Sequence, residues 1–207
     1  MNIVFDFGAV LFAWQPAQLV AQHFPELATT PAQAQQLARA MFQHADWQGF
    51  DMGKIALNDV VRRTAERLNL PVDSLHSALA PIGEQLAPIE CNVKLLGTLR
   101  ERRNRQGDIK LYFLSNMPEP FARALERRID FLQWFDGGIF SSDVKLGKPD
   151  PAIYQLLASR YQLVAAKTLF IDDSQANVRA ADILGWQTIH CEDPQRLPDQ
   201  LLNKFGQ

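Results

Sequence analysis

Ile3-Val4-Phe5-Asp6-Phe7-Gly8-Ala9-Val10-Leu11 is the stretch from which the fold can be read. Three apolar residues, two of them β-branched, run into a carboxylate and then, two positions on, into a glycine. A short apolar run of this kind reads as a buried strand, and an acid at its C-terminal end stands where open α/β sheets gather their chemistry. The pattern returns far downstream, where Thr168-Leu169-Phe170-Ile171 ends in Asp172-Asp173-Ser174. If the two strands are neighbours, three carboxylates converge, and such a group repels itself unless a cation sits among them. Hard oxygen ligands favour Mg²⁺. These two runs together predict a metal-dependent hydrolase with Asp6 as its nucleophile.

Working outward, strands are expected at residues 3–5, 109–114, 138–141, 168–171 and 187–190, all short, rich in β-branched and aromatic residues and free of proline. Helices separate them. One covers 92–105 and stops before Gly107, a second covers 152–160 behind Pro149-Asp150-Pro151, and a third runs from Ser174 to Leu184 and stops at Gly185. Strands alternating with helices predict an α/β fold, a parallel doubly wound sheet layered between helices. The interval 14–88 breaks that rhythm and reads as helix throughout: 16–24, 31–44, 57–68 with Asn58 or a neighbour as its cap, and 72–86. The expected organisation is therefore a catalytic core, 1–13 and 89–207, and an inserted helical cap, 14–88, lying as a lid over the sheet's C-terminal edge.

The whole chain narrows the function further. Its 207 residues are 47% hydrophobic and 21% charged, the composition of an ordinary globular protein. A net charge of -2 and a pI near 6.1 supply no field for holding nucleic acid or an anionic membrane surface. The most basic stretch, Arg100-Glu101-Arg102-Arg103-Asn104-Arg105, reads as the solvated end of a helix. No apolar run approaches the roughly 18 residues that span a bilayer. Cys91 and Cys191 have no CxxC spacing, and Met1-Asn2-Ile3 leads straight into a strand without a basic leader. Free thiols and a cytoplasmic location are the expectation.

Asp6, Ser115-Asn116, Lys148 and Asp172-Asp173 stand at or just beyond the expected C-terminal ends of successive strands. Each has a task if the substrate is a small phosphorylated molecule. Asp6 attacks phosphorus and splits one displacement into two. The Ser115 hydroxyl and Asn116 contact nonbridging oxygens, Lys148 neutralises Asp6 and the transferring group, and the aspartate pair holds Mg²⁺. Singly, each has a plainer reading: a turn cap, a surface lysine, a helix N-cap.

In this order the segments resemble the haloacid dehalogenase superfamily over almost the whole chain. Residues 4–11, Phe113-Leu114-Ser115-Asn116, Gly147-Lys148-Pro149-Asp150-Pro151, and Ile171-Asp172-Asp173-Ser174 with Asn177 are similar to its four motifs. The resemblance implies a Rossmann-like sheet in the order 5-4-1-2-3, a helical cap inserted after the first motif, and the Gly8 carbonyl as a further metal ligand. It also implies a Mg²⁺-dependent phosphohydrolase acting through a phospho-aspartate on a small metabolite, sugar phosphates among the candidates. One position departs. Most phosphatases of this superfamily carry a second Asp two places after the nucleophile, to protonate the leaving group; here it is Gly8, as in a subgroup resembling sugar-1-phosphate phosphatases. Gly53-Lys54-Ile55 is the only part of the cap similar to that subgroup. His44, Asp46 and Asp51 are candidates to replace the missing acid, though the commoner reading makes His44 and Asp46 helix-end residues and Asp51 a turn former. Trp14, Trp47 and Phe50 suit either a substrate pocket or the cap's interior. Two alternative functions stay open: a metal-independent 2-haloacid-dehalogenase-like hydrolase, and a catalytically impaired binding or regulatory homologue.

Overall fold

The computed structural model describes residues 1–205. Five strands, β1 (Asn2–Phe5), β2 (Lys110–Ser115), β3 (Gly137–Phe140), β4 (Thr168–Asp172) and β5 (Gln187–His190), form one sheet in the order β3-β2-β1-β4-β5. Every pairing is parallel. This is the order that the resemblance implied, read from the opposite edge. β1 lies at the centre, with Phe5 level with Phe113 on one side and Ile171 on the other. A central parallel strand is covered on both faces, which is why Ile3-Val4-Phe5 is apolar without alternation and 0% exposed.

Between β1 and β2 the chain is helical: α1 (Pro16–His23), α2 (Pro31–Phe42), α3 (Ala45–Asp51), α4 (Leu57–Leu68), α5 (Val72–Leu79), α6 (Ile82–Gln85) and α7 (Glu90–Gln106). The later crossovers carry α8 (Glu119–Arg128), α9 (Ser141–Val144), α10 (Pro151–Tyr161) and α11 (Gln175–Ile183), and α12 (Leu197–Phe205) follows β5. Local chemistry explains several starts and stops. Thr30 and Gln33 form a reciprocal capping box at the start of α2, with Pro31 in the first turn. The Asp150 carboxylate accepts the Ala152 N–H at the start of α10. Gly107, at φ 68°, ends α7 in the left-handed conformation.

Some expected boundaries move. The helix expected over 31–44 stops at Phe42, because His44 Nδ1 accepts the Asp46 N–H and caps a new helix, α3. The helix expected over 72–86 is two, since Pro81 has no N–H to continue the ladder. α4 is capped from Ala56 without a side-chain hydrogen bond, so Asn58 lies inside its first turn. Ser141 opens α9 and does not end β3. The basic run at the end of α7 is partly paired: Arg103 reaches Asp136 at 3.1 Å and Arg102 reaches Asp108 at 2.5 Å.

Alternation along the strands divides the interior in two. Val4, Tyr112, Leu114 and Phe170 pack beneath α10, against Ile153, Tyr154 and Leu157. Ile3, Phe5, Leu111 and Leu169 face the other way, into an apolar interior that continues through Phe7 and Phe12 to Val60, Leu75 and Leu79 of the inserted helices. The inserted segment thus shares its core with the sheet. Its two ends are laced together: Ala13 N–H donates to the Ala87 carbonyl and Ile89 N–H to the Leu11 carbonyl, both at 2.8 Å. No described helix is long and apolar enough to cross a membrane, and both described cysteines are free.

Candidate active site

Asp6 is the first residue past β1. Its N–H continues the ladder to the Ile171 carbonyl at 2.9 Å, which holds its side chain at the junction of β1 and β4. One carboxylate oxygen accepts the Phe7 N–H at 2.7 Å and Lys148 Nζ at 2.8 Å. The other oxygen has no hydrogen-bond partner among the described residues. The next turn is tight: the Phe7 carbonyl accepts the N–H groups of Val10, Leu11 and Phe12, and Ala9 sits within it at a positive φ of 53°.

 Gly8 lies two residues past Asp6, with its carbonyl unused by any described hydrogen bond.

Lys148 enters from the loop before α10. Its side chain is 1% exposed, and Nζ lies 2.6 Å from Asp172 as well as 2.8 Å from Asp6. Asn116, one residue past β2, fixes its backbone on both sides: the amide donates to the Lys148 carbonyl at 2.9 Å and accepts the Lys148 N–H at 2.8 Å. Asp172 ends β4 fully buried, and donors cover both its oxygens: Lys148, the Ser174 N–H at 2.8 Å and the Asn177 amide at 3.0 and 3.2 Å. Asp173 turns the other way and is exposed. One ligand oxygen each of Asp6, Asp172 and Asp173 lies within 4.8 Å of the others.

Three acids beside one lysine leave an excess of negative charge, and protonation reflects it. Burial raises the Asp6 carboxyl to about 7; Lys148 opposes the rise while Asp172 and Asp173 add to it. Burial and then Asp172 raise Asp173 to about 6. For Lys148, burial disfavours the charge, but Asp172 and Asp6 outweigh it, so the ammonium titrates above its ordinary range. An all-oxygen donor set that is strained by its own charge suits a hard divalent cation. Because Asp172 is saturated by protein donors, the groups open to such a cation are Asp6, Asp173 and the Gly8 carbonyl.

A cavity of about 280 Å³ opens on this cluster, with Asp6, Gly8, Lys148 and Asp173 on its lining. The inserted helices supply the facing wall through Trp14, Phe42 and Trp47, and Met117 and Phe121 close the side beyond β2. The aromatic rings form an edge-to-face chain: Trp14 to Phe42 at 5.2 Å, Phe42 to Trp47 at 4.6 Å, Trp47 to Phe50 at 5.4 Å, Phe50 to Phe121 at 5.5 Å. Asp51, the last residue of α3, is the one charged side chain that residues 14–88 contribute to the described lining.

The residues singled out from the sequence divide accordingly. Asp6, Lys148, Asp172 and Asp173 meet in one cluster, and Gly8 lies beside it. Ser115 ends β2 at 1% exposure and is not on the described cavity lining. The Asn116 side chain is engaged with the Lys148 backbone. His44 and Asp46 lie off the lining, His44 as the cap of α3 and Asp46 paired with Arg63 at 3.2 Å. Phe50 is buried behind Trp47, whereas Trp14 and Trp47 line the cavity. Phe42, Met117 and Phe121 were not foreseen. Phe42 and Phe121 are marked in the sequence only as part of a helix's apolar face, a mark that core residues share, and Met117 is a single apolar residue in the loop after β2.

Residues 2–185 match the family of haloacid dehalogenase-like hydrolases. A sesquiterpene phosphatase from Aspergillus oryzae is 28% identical over 191 residues, 92% of this chain and 89% of that protein. A phosphorylated carbohydrates phosphatase from Thermotoga maritima is 38% identical over 82 residues, but those are 40% of this chain and only 38% of the relative. Among solved structures, a HAD family enzyme from Bacteroides thetaiotaomicron, in complex with magnesium and inorganic phosphate, superposes with a TM-score of 0.67 at 20% identity, covering 91% of this chain and 92% of that one. With the family match running from β1 through β4 and including Asp6, Ser115, Lys148 and Asp172, the chain belongs to the haloacid dehalogenase-like hydrolases.

Proposed function

We propose that this hydrolase is a Mg²⁺-dependent phosphatase that releases inorganic phosphate from the monophosphate ester of a small apolar alcohol, by way of a phosphoryl group carried on Asp6. The observation that carries the reading is the two-sided cavity: a carboxylate–lysine cluster on one side and aromatic rings on the other. A phosphoryl group matches the first and a hydrocarbon the second. A sugar would leave its hydroxyls facing Trp14, Phe42 and Trp47 without partners, and unpaired polar groups are costly there. The relative that aligns over most of both chains is named a sesquiterpene phosphatase, in keeping with an apolar alcohol.

In this reading the Asp6 oxygen not bound by Phe7 and Lys148 attacks phosphorus. The bond to the alcohol oxygen breaks, and a water then releases phosphate from Asp6. Lys148 holds the first oxygen in place and balances charge as the phosphoryl group arrives. Asn116 and Asp172 position Lys148. Asp6, Asp173 and the Gly8 carbonyl would hold Mg²⁺, which when bound neutralises phosphoryl charge and aligns the displacement. The exposed third carboxylate argues against a metal-independent dehalogenase, which has no use for it, and the sequestered lysine argues against a decayed site.

The test is phosphate release, with Mg²⁺, from n-alkyl phosphates of increasing length and from sugar phosphates. kcat/KM is expected to climb about fourfold per added methylene until the cavity is full, since each buried methylene contributes about 0.8 kcal/mol. Sugar phosphates turned over faster than every alkyl ester would overturn the choice of alcohol. Asp6→Asn is expected to be inactive on all of them. Turnover within about tenfold of wild type, a barrier change of only about 1.4 kcal/mol, would remove Asp6 as nucleophile.

A further inference from the structure

We propose that Asp51 is the proton donor to the departing alcohol oxygen, and then the base that activates water, in the role that position 8 leaves vacant. The inference rests on the phosphoryl-transfer reading above. In a phosphate ester the bridging oxygen lies between the phosphoryl group and the alcohol. In this cavity it must therefore lie between the charged floor and the apolar wall. Asp51 is the charged side chain that the wall presents there.

Three further observations bear on the choice. First, the Asp51 carboxyl has no hydrogen-bond partner among the described residues, so it is free to serve a ligand. Burial, and next the charge of Asp6, push it well above the ordinary carboxylate range, with Lys148 opposing, which favours the protonated form that a donor needs. Second, its backbone is fixed to the core. Ser141 Oγ donates to the Asp51 carbonyl and accepts the Met117 N–H at 2.9 Å, and Lys145 Nζ donates to the Gly53 carbonyl at 2.8 Å. Third, the rival acids are elsewhere: His44 caps α3 at its opposite end, and Asp46 is held by Arg63. A Cβ on Gly8 would meet the Trp14 side chain at 3.8 Å, an ordinary van der Waals contact, so Trp14 is the cavity-lining neighbour of this position.

The chemistry balances. Asp6 forms a bond to phosphorus as the bond from phosphorus to the alcohol oxygen breaks. The electron pair stays on that oxygen, which takes the Asp51 proton and leaves as the alcohol. Asp51, now a carboxylate, takes a proton from the water that attacks phospho-Asp6. The phosphorus–Asp6 bond breaks, its electron pair returns to the Asp6 carboxylate, and phosphate departs with Asp51 protonated again.

The experiment compares Asp51→Asn with wild type on two esters in the same assay, an n-alkyl phosphate and 4-nitrophenyl phosphate. The alkoxide needs a proton to leave and the nitrophenolate does not. The ratio of the two kcat/KM values does not depend on how much of the variant is folded. That ratio, alkyl over nitrophenyl, is expected to fall by about 10²- to 10⁴-fold in Asp51→Asn, the usual worth of a general acid. An equal loss on both esters, or no loss, overturns the proposal. Asp6→Asn separates the two readings. If it is inactive while the ratio is unchanged in Asp51→Asn, only the role of Asp51 falls. If it remains active, the phosphoryl-transfer reading falls and takes this one with it.

Discussion

Lys148 is the residue on which the charge balance of the site turns. Its ammonium is 1% exposed between Asp6 and Asp172, with the ring of Phe170 5.4 Å from Nζ. A buried charge pair is weak evidence of net stabilisation, but removing one partner strands the other in low dielectric. Lys148→Met keeps the length of the side chain and deletes the charge. It leaves two buried carboxylates facing each other, so a loss of about 3–5 kcal/mol is expected at neutral pH without metal. At about 2–4 °C per kcal/mol for a chain of this size, melting would fall by roughly 6–20 °C. Acidification should recover part of the loss, because a proton on Asp6 removes the repulsion that Lys148 had screened. Thermal melts of the variant at mildly acidic and neutral pH check both statements; an unchanged melting temperature at neutral pH would show that the lysine does not balance the pair.

At the scale of elements, α3 and α9 meet where the inserted helices reach the core. Ser141, 0% exposed at the start of α9, joins the Asp51 carbonyl to the Met117 N–H. Ser141→Ala leaves both groups unpaired, which is expected to cost about 1–3 kcal/mol. It should also lower the alkyl-to-nitrophenyl ratio of kcat/KM, less than Asp51→Asn does, by letting the carboxyl drift. Melting and the two-ester assay read the two effects separately, and a lower melting temperature with an unchanged ratio would make Ser141 a purely structural residue. These contacts also mark where sequence reading stops. β1 and β4 were legible because a central parallel strand must be apolar on both faces, and the acids were legible because a strand's end fixes where they stand. α8 and α12 were not singled out; Pro118 and Pro120 mask the start of α8, whose apolar face is Phe121, Ala122, Ala124 and Leu125. Asp51 was one of three equal candidates, since only the packing of α3 on α9 brings it to the cavity and withholds His44 and Asp46. Asn116 was read as a substrate contact because nothing local shows that its amide spans the Lys148 backbone.

For the whole molecule, the cluster ties folding to pH and metal together. Asp6 titrates at about 7 in the folded chain, raised chiefly by burial, against an ordinary value of 3.8. Between about pH 4 and 7 the folded protein therefore holds a proton that the unfolded chain has released. Linkage then requires that this group's contribution to stability be intact below about pH 4 and be lost progressively as pH rises to about 7. Asp173, raised to about 6, acts with the same sign over a narrower window. Mg²⁺ bound as proposed would take the ionised carboxylates, so it would compete with those protons and its stabilising effect would run the opposite way. Melting temperatures measured with and without Mg²⁺ from about pH 5 to about 8 should therefore diverge as pH rises, with the widest gap near and above neutrality. In Asp173→Ala the gap should shrink at every pH, because one of the two open carboxylates is gone. A gap that is constant with pH, or that is as wide in Asp173→Ala as in wild type, would mean that the cation sits somewhere other than between Asp6 and Asp173.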